Sequence, residues 1–161
     1  MGESLGYLLT WRTYGTWLHG DPRGAVDHAH AQFGEPLLAA SAVRMQQAST
    51  RMMHAPVELT CAARTLVADT LTRHCRIRGW ECHELSVRVN HVHIVIAHAG
   101  LKPEFMAGQF KAYATRALRR GGHARDKAPL WAEGASTQYL WTAHQINGAC
   151  DYVRDGQDTP R

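Results

Sequence analysis

Two histidines, His91 and His93, stand one residue apart in the otherwise apolar run "VNHVHIVIAHAG" at residues 89–100. Titratable side chains are costly in such a run unless a hydrogen bond or a metal ion satisfies them. If the run is a strand, alternate side chains share a face, so the two imidazoles can converge on one ion. The alternative is a pair of solvent-facing or hydrogen-bonded histidines that bind nothing.

The sequence contains a second His-x-His pattern that is useful for comparison. His28 and His30 lie in "DHAHAQ", within a segment punctuated by glycine and proline. No apolar alternation would fix the two rings relative to each other there. The pattern at residues 91–93 is therefore the better candidate for a metal site.

A tyrosine near the C-terminal end has an unusual place on its predicted helix. On a helical wheel of 100° per residue, Tyr152 lies about 120° from Ile146 and outside the apolar stripe. That stripe consists of Ile146, Ala149, Cys150 and Val153. A tyrosine off the core face can be presented to a site, whereas Tyr113 falls on the apolar stripe of its own helix and is interpreted as a packing residue.

The elements that must position these residues follow from hydrophobic periodicity and turn chemistry. Strands are predicted at 5–14, 80–89, 91–98 and 136–142, with helices at 57–79, 101–120 and 142–156. The order indicates an α+β fold, a ferredoxin-like βαββαβ antiparallel sheet with an additional C-terminal helix. We interpret residues 1–161 as a single domain with a loop-rich insert at 15–56. The sheet face opposite the first two helices would be an open platform for the histidines.

Composition excludes several classes of protein. Hydrophobic residues make up 45% and charged residues 20% of the 161 positions, ordinary values for a globular domain. No apolar run approaches the roughly 18 residues that span a bilayer, and no secretory signal is recognisable, so no membrane partner is expected. The four cysteines form no C-x-x-C motif, which is typical of reduced thiols in a cytosolic protein.

The basic residues suggest a polyanionic partner. The 18 basic side chains are 15 arginines and 3 lysines, and the planar guanidinium suits phosphate. An arginine-favouring genome composition would explain the same bias. Four residues lie on the second helix away from its apolar stripe, and we select them as candidate phosphate contacts: Lys111, Arg116, Arg119 and Arg120. The alternative is that they form an ordinary solvated helix face.

These patterns together resemble a known family. "NHVHIVI" resembles the His-hydrophobic-His strand of single-tyrosine HUH transposases, the insertion sequence 200/605 type and the related REP-associated tyrosine transposases. "CDYVRDGQ" resembles their C-terminal helix, and "PLWAEGASTQYLWT" is similar to the segment before that helix. The resemblance covers roughly residues 57–157, with the elements in the same order.

The resemblance implies a function. His91 and His93 would bind a divalent ion, Mg²⁺ or Mn²⁺, at a scissile phosphate. Tyr152 would be the nucleophile, forming a 5′-phosphotyrosine intermediate. The substrate would be single-stranded DNA, hairpin-containing. The protein would be a cytoplasmic, nucleoid-associated homodimer. In this family each active site often combines histidines from one subunit with the tyrosine of the other, and the sequence leaves open whether the sites are shared here.

One departure from the family pattern leaves alternatives open. The family usually has Gln or Asn four residues after the tyrosine, but here that position is Gly156 and the amide is Gln157. A glycine can end the helix and let Gln157 turn inward as a third metal ligand. The alternatives are a non-catalytic or domesticated ssDNA-hairpin-binding protein, a relaxase or Rep-like nickase, and a metal phosphoesterase that uses water. Within the insert, Arg23 would contact DNA, or the segment would only cap the sheet.

Overall fold

The computed structural model describes residues 2–16 and 54–156. Arg23 and Gln157 lie outside the described residues, as does most of the 15–56 segment. The strands are β1 (Gly6–Arg12), β2 (Cys82–Val87), β3 (His91–Ala97) and β4 (Ser136–Leu140). The helices are α1 (Cys61–Arg78), α2 (Pro103–Arg120) and α3 (Ala143–Asp151), followed by a π-helical turn, Tyr152–Gly156. Within the described ranges, no helix combines the length and apolarity needed to cross a membrane.

The helix ends have local causes in the sequence. The hydroxyl of Thr60 accepts a hydrogen bond from the Ala63 N–H at 3.1 Å and caps α1. That helix ends at Gly79, whose φ of 72° is the left-handed conformation that glycine adopts at little cost. At the start of α3, Thr142 Oγ1 accepts from the Gln145 N–H at 3.1 Å. The Gln145 side chain in turn accepts from the Trp141 N–H, one residue earlier than in a standard capping box.

The four strands form one antiparallel sheet in the order β2-β3-β1-β4. A short turn joins β2 to β3, with the Arg88 N–H donating to the His91 carbonyl at 2.8 Å. In the centre of the sheet, Thr10 lies opposite His93 on one side and opposite Ser136 on the other. The predicted α+β class and antiparallel sheet are therefore confirmed, with three α-helices around four strands.

The two sheet faces carry separate apolar clusters. On the face covered by α1 and α2, a large core includes Val92, Ile94 and Ile96 from β3. On the other face, α3 and the π-helical turn pack on the sheet through a smaller cluster: Leu8, Val95, Leu140, Ala149 and Val153. The predicted alternation along β3 and the predicted apolar stripe of the last helix are both confirmed. The expectation of an open second face is wrong, because α3 covers part of it.

Candidate active site

His91 and His93 lie on the sheet face that α3 partly covers. His93 is buried, with 7% of its surface exposed, and His91 is half-buried. The centroids of the two rings are 4.8 Å apart, with the ring planes at 78°. Because a metal–nitrogen bond to histidine is about 2.1 Å long, rings this close can bind one ion.

Each imidazole is oriented through its Nδ1 atom. His91 Nδ1 lies 2.8 Å from Asn90 Oδ1, and because an amide oxygen accepts, the ring donates through Nδ1 in this contact. His93 Nδ1 is hydrogen-bonded to Thr10 Oγ1 at 2.6 Å. A hydrogen bond to the protein through one ring nitrogen is the usual way in which a metal-binding histidine is held in place.

The environment keeps His93 neutral. Burial is the largest cause that lowers the pKa of His93 to about 4, and the nearby His91, Arg12 and Arg88 contribute to the same decrease. At neutral pH the imidazole therefore has a lone pair, which is the form that binds metal.

The donor set fits a divalent ion in part. His91 and His93 supply two nitrogen ligands, but no group of three or more His, Cys, Asp or Glu that could hold a metal occurs in residues 2–16 and 54–156. The third predicted ligand, Gln157, lies outside these residues. A complete coordination sphere would need oxygen ligands from elsewhere, such as water, a phosphate or an amide.

Tyr152 lies beside the histidines of the same chain. Its ring centroid is 5.7 Å from that of His93, with the ring planes at 73°. The side chain is 41% exposed, as expected for a residue off the apolar stripe. The fold thus brings together the three residues singled out by spacing, two from β3 and one from the turn after α3.

The neighbours of Tyr152 hold this turn on the sheet. Val153 is completely buried in the smaller apolar cluster. Arg154 donates through Nη2 to Glu84 Oε2 on β2 at 2.9 Å and through Nε to the same oxygen at 3.3 Å. It also contacts Asp151 Oδ1 at 3.4 Å. Tyr152 is therefore followed directly by a buried anchor and by an ion pair to an edge strand.

A pocket of about 530 Å³ opens next to Tyr152. It is lined by Leu8, Thr10, Arg12, His93, Ser136, Gln138, His144, Gln145, Gly148, Ala149 and Tyr152. Apart from His93 and Tyr152, sequence reasoning missed the polar members of this lining. A signal existed in β1, where Thr10 and Arg12 alternate with buried apolar residues, but the residues from β4 and α3 gave none.

The predicted phosphate-contacting residues lie elsewhere. They belong to α2, which packs on the opposite sheet face. Lys111 Nζ donates to the carbonyls of Ala132 and Gly134, and Arg119 Nη2 donates to the Ala128 carbonyl at 3.1 Å. These two side chains hold the segment between α2 and β4. A DNA-contacting role for Lys111, Arg116, Arg119 and Arg120 remains a prediction, at a distance from the histidine pair.

Tyr113, the second candidate tyrosine, is also on the far side of the sheet. Its ring packs on that of His74, with centroids 4.2 Å apart, and the Arg116 guanidinium lies 5.1 Å from its centroid. The packing interpretation fits these contacts. The side chain is nevertheless 39% exposed, so Tyr113 lies at the margin of the core and not inside it.

Comparison with known proteins gives little direct information. No protein-family model matches the chain, and no curated protein matches it. Among solved structures, a candidate transposase from Deinococcus radiodurans R1 is similar, with a TM-score of 0.44 and 16% sequence identity. The similarity covers 96% of this chain and 92% of that one.

Proposed function

We propose that the protein is a metal-dependent, single-strand DNA transposase that cleaves and rejoins DNA through Tyr152. The observation that carries the proposal is the half-exposed Tyr152 ring 5.7 Å from His93, which pairs with His91 on the same face. A histidine pair that includes the neutral His93, beside an accessible hydroxyl nucleophile, suits phosphodiester chemistry. The motif resemblance of residues 57–157 to single-tyrosine HUH transposases points to the same reaction.

The arrangement of elements supports the fold named from the sequence. The β-α-β-β-α-β order, the antiparallel strand order β2-β3-β1-β4 and two helices on one face are the features of a ferredoxin-like plan. We therefore retain the ferredoxin-like interpretation, with α3 and the π-helical turn as the addition that carries Tyr152.

His91 and His93 would hold the divalent ion, Mg²⁺ or Mn²⁺. When bound, the ion would supply positive charge next to the scissile phosphate. The protein's own contribution is orientation: Asn90 and Thr10 fix the two rings through Nδ1, and burial keeps His93 unprotonated.

Tyr152 would attack the phosphorus atom of a phosphodiester in single-stranded DNA. The bond from phosphorus to the tyrosine oxygen forms while the bond to the 3′-oxygen breaks, leaving a 5′-phosphotyrosine and a 3′-hydroxyl. The phenol loses a proton and the departing oxygen gains one. A second 3′-hydroxyl then reverses the exchange on a new strand, so the ester bond is conserved and no nucleotide cofactor is needed.

The reaction is tested by Tyr152→Phe, which keeps the ring and removes only the oxygen. Wild-type protein incubated with Mn²⁺ and single-stranded hairpin DNA should form a covalent adduct that mass spectrometry maps to Tyr152. The variant should form none, because no other group can make that ester. Its free energy of unfolding should change by less than about 1 kcal/mol, since the side chain is half-exposed.

The matched control is Tyr113→Phe on the opposite side of the sheet, which should form adduct at the wild-type rate. Adduct formation by Tyr152→Phe but not by Tyr113→Phe would contradict the assignment. Cleavage by Tyr152→Phe without adduct would make water the nucleophile and the protein a phosphoesterase. DNA binding by wild type without cleavage would indicate the non-catalytic, domesticated alternative. A relaxase or Rep-like nickase would form the same adduct, but the original 3′-hydroxyl, and not that of a second strand, would take the phosphate back from the tyrosine.

A further inference from the structure

The pocket beside Tyr152 extends away from the histidine pair toward the edge of the sheet. His93, Thr10 and Ser136 face one another in register on three adjacent strands. Since neighbouring strands are about 4.8 Å apart, Ser136 lies roughly 10 Å from His93 across the sheet. The pocket therefore begins where the candidate scissile phosphate would be bound and continues for about the width of one nucleotide.

The walls of this pocket are polar and its base is apolar. Ser136 and Gln138 project from β4, and His144 and Gln145 project from the first turn of α3. Leu8 and Ala149, both buried, lie between them. Such a combination suits a flat ligand with an apolar face and a hydrogen-bonding edge.

Three of the polar side chains have hydrogen-bonding capacity to spare. Thr10 is engaged by His93, and Gln145 by the Trp141 N–H. Ser136, Gln138 and His144 are exposed and make no side-chain hydrogen bond with any other described residue. Together they present a hydroxyl, an amide and an imidazole, which can both donate to and accept from a base edge.

Among the described residues of the lining, the permanent charge has one sign. Arg12 lies at the end that contains His93 and Tyr152, and the described lining residues include no Asp or Glu. A cationic end and an uncharged, hydrogen-bonding wall fit a phosphate joined to a nucleobase. They do not favour a cationic or purely apolar ligand.

We propose that this pocket binds the nucleotide adjacent to the scissile phosphate, with Ser136, Gln138 and His144 contacting the edge of its base. The inference rests on the proposed function, because it places the phosphate of that nucleotide beside Tyr152. The protein would then itself select the base at one position of the DNA.

A glycine allows the pocket to be filled without disturbing the core. A Cβ atom added at Gly148, in α3, would meet no heavy atom within 4 Å, and Gly148 lines the pocket. Leucine there would project into the pocket and is a better helix former than glycine. Gly108, in α2, is an equally open and exposed helical glycine on the other side of the sheet. Gly148→Leu and Gly108→Leu are thus a matched pair.

The test uses the four deoxynucleoside 5′-monophosphates as probes, each titrated into the full-length protein and followed by NMR. At least one should shift the signals of Ser136, Gln138 and His144 at millimolar concentration. Gly148→Leu should weaken that binding roughly tenfold or more by occupying the pocket, and Gly108→Leu should not. Gln138→Ala should reduce the difference in affinity among the four nucleotides.

The outcomes separate the two proposals. Nucleotide binding that is lost in Gly148→Leu, in a protein that forms no Tyr152 adduct, would support the pocket and refute the strand-transfer reaction. If the Tyr152 adduct forms but wild type and Gly148→Leu bind nucleotides with equal affinity, the strand-transfer reaction would be supported and the pocket assignment refuted. Absence of any shift at millimolar nucleotide, or shifts confined to residues of α2, would overturn the pocket assignment.

Discussion

His93 is the most constrained side chain of the candidate site. It is buried, bonded to Thr10, 4.8 Å from the ring of His91 and 5.7 Å from that of Tyr152. The hydrogen bond to Thr10 occupies Nδ1, which leaves Nε2 as the nitrogen that would bind a metal ion jointly with His91.

We expect His91→Ala to weaken Mn²⁺ binding by roughly 10- to 100-fold or more. Removal of a residue that only orients a metal ligand already costs this much, and His91 would be a ligand itself. His91 is half-buried, so this variant should keep the fold better than a change at His93. Isothermal titration calorimetry measures the affinity. The control is His144→Ala, which removes another histidine near Tyr152 and should leave Mn²⁺ affinity unchanged. Equal affinity in His91→Ala and wild type would refute the metal pair.

At the scale of elements, the turn after α3 determines where Tyr152 lies. The chain changes from α-helical to π-helical geometry at Tyr152, a local widening that is often found at functional sites. Val153 fixes the turn to the sheet from inside, and the Glu84–Arg154 ion pair fixes it to β2 from outside. Because Tyr152 is next to both contacts, loss of either should change the direction of the phenol.

We expect Glu84→Gln to slow adduct formation roughly tenfold without preventing it, because a misplaced nucleophile loses much of its rate. The melting temperature should change little, since exposed ion pairs contribute little to stability. Amide hydrogen exchange at residues 152–156 should become faster in the variant. Asp151→Asn is the control, because it removes a second carboxylate that contacts Arg154 without breaking the link to β2. If both variants react at the wild-type rate, the ion pair does not position Tyr152.

At the scale of the whole molecule, one chain contains both halves of the candidate site. The motif resemblance implies a homodimer with histidines and tyrosine from different subunits. The 5.7 Å separation of the His93 and Tyr152 rings shows that a single chain can supply both. The homodimer remains a proposal, and light scattering will determine whether it exists.

Mixing two inactive variants distinguishes the arrangements. We expect His91→Ala and Tyr152→Phe to remain inactive when mixed, because each chain then lacks one half of its own site. Recovery of adduct formation on mixing, after subunits have been allowed to exchange, would demonstrate composite sites and contradict this expectation. A mixture of Tyr113→Phe and Tyr152→Phe controls for dilution. Its activity should equal that of Tyr113→Phe measured alone at the concentration that this variant has in the mixture.

The sequence by itself determined which face each residue occupies. Alternation along β3 places His91 and His93 on one face. The helical period of residues 146–153 places Tyr152 outside the apolar stripe that packs on the sheet. Gly79 likewise ends α1 where its position predicts. These features are local, because they depend on backbone geometry over a few residues, and so the sequence specifies them directly.

Only the tertiary structure decided which faces meet. The register of β1 against β3 and β4 aligns Thr10 with His93 and Ser136, and the packing of α3 covers a face expected to be open. On the far side of the sheet, Lys111 and Arg119 of α2 donate to backbone carbonyls of the segment before β4. Register and layer packing depend on contacts between residues far apart in sequence, which no local period encodes. The pocket beside Tyr152 arises from those contacts alone.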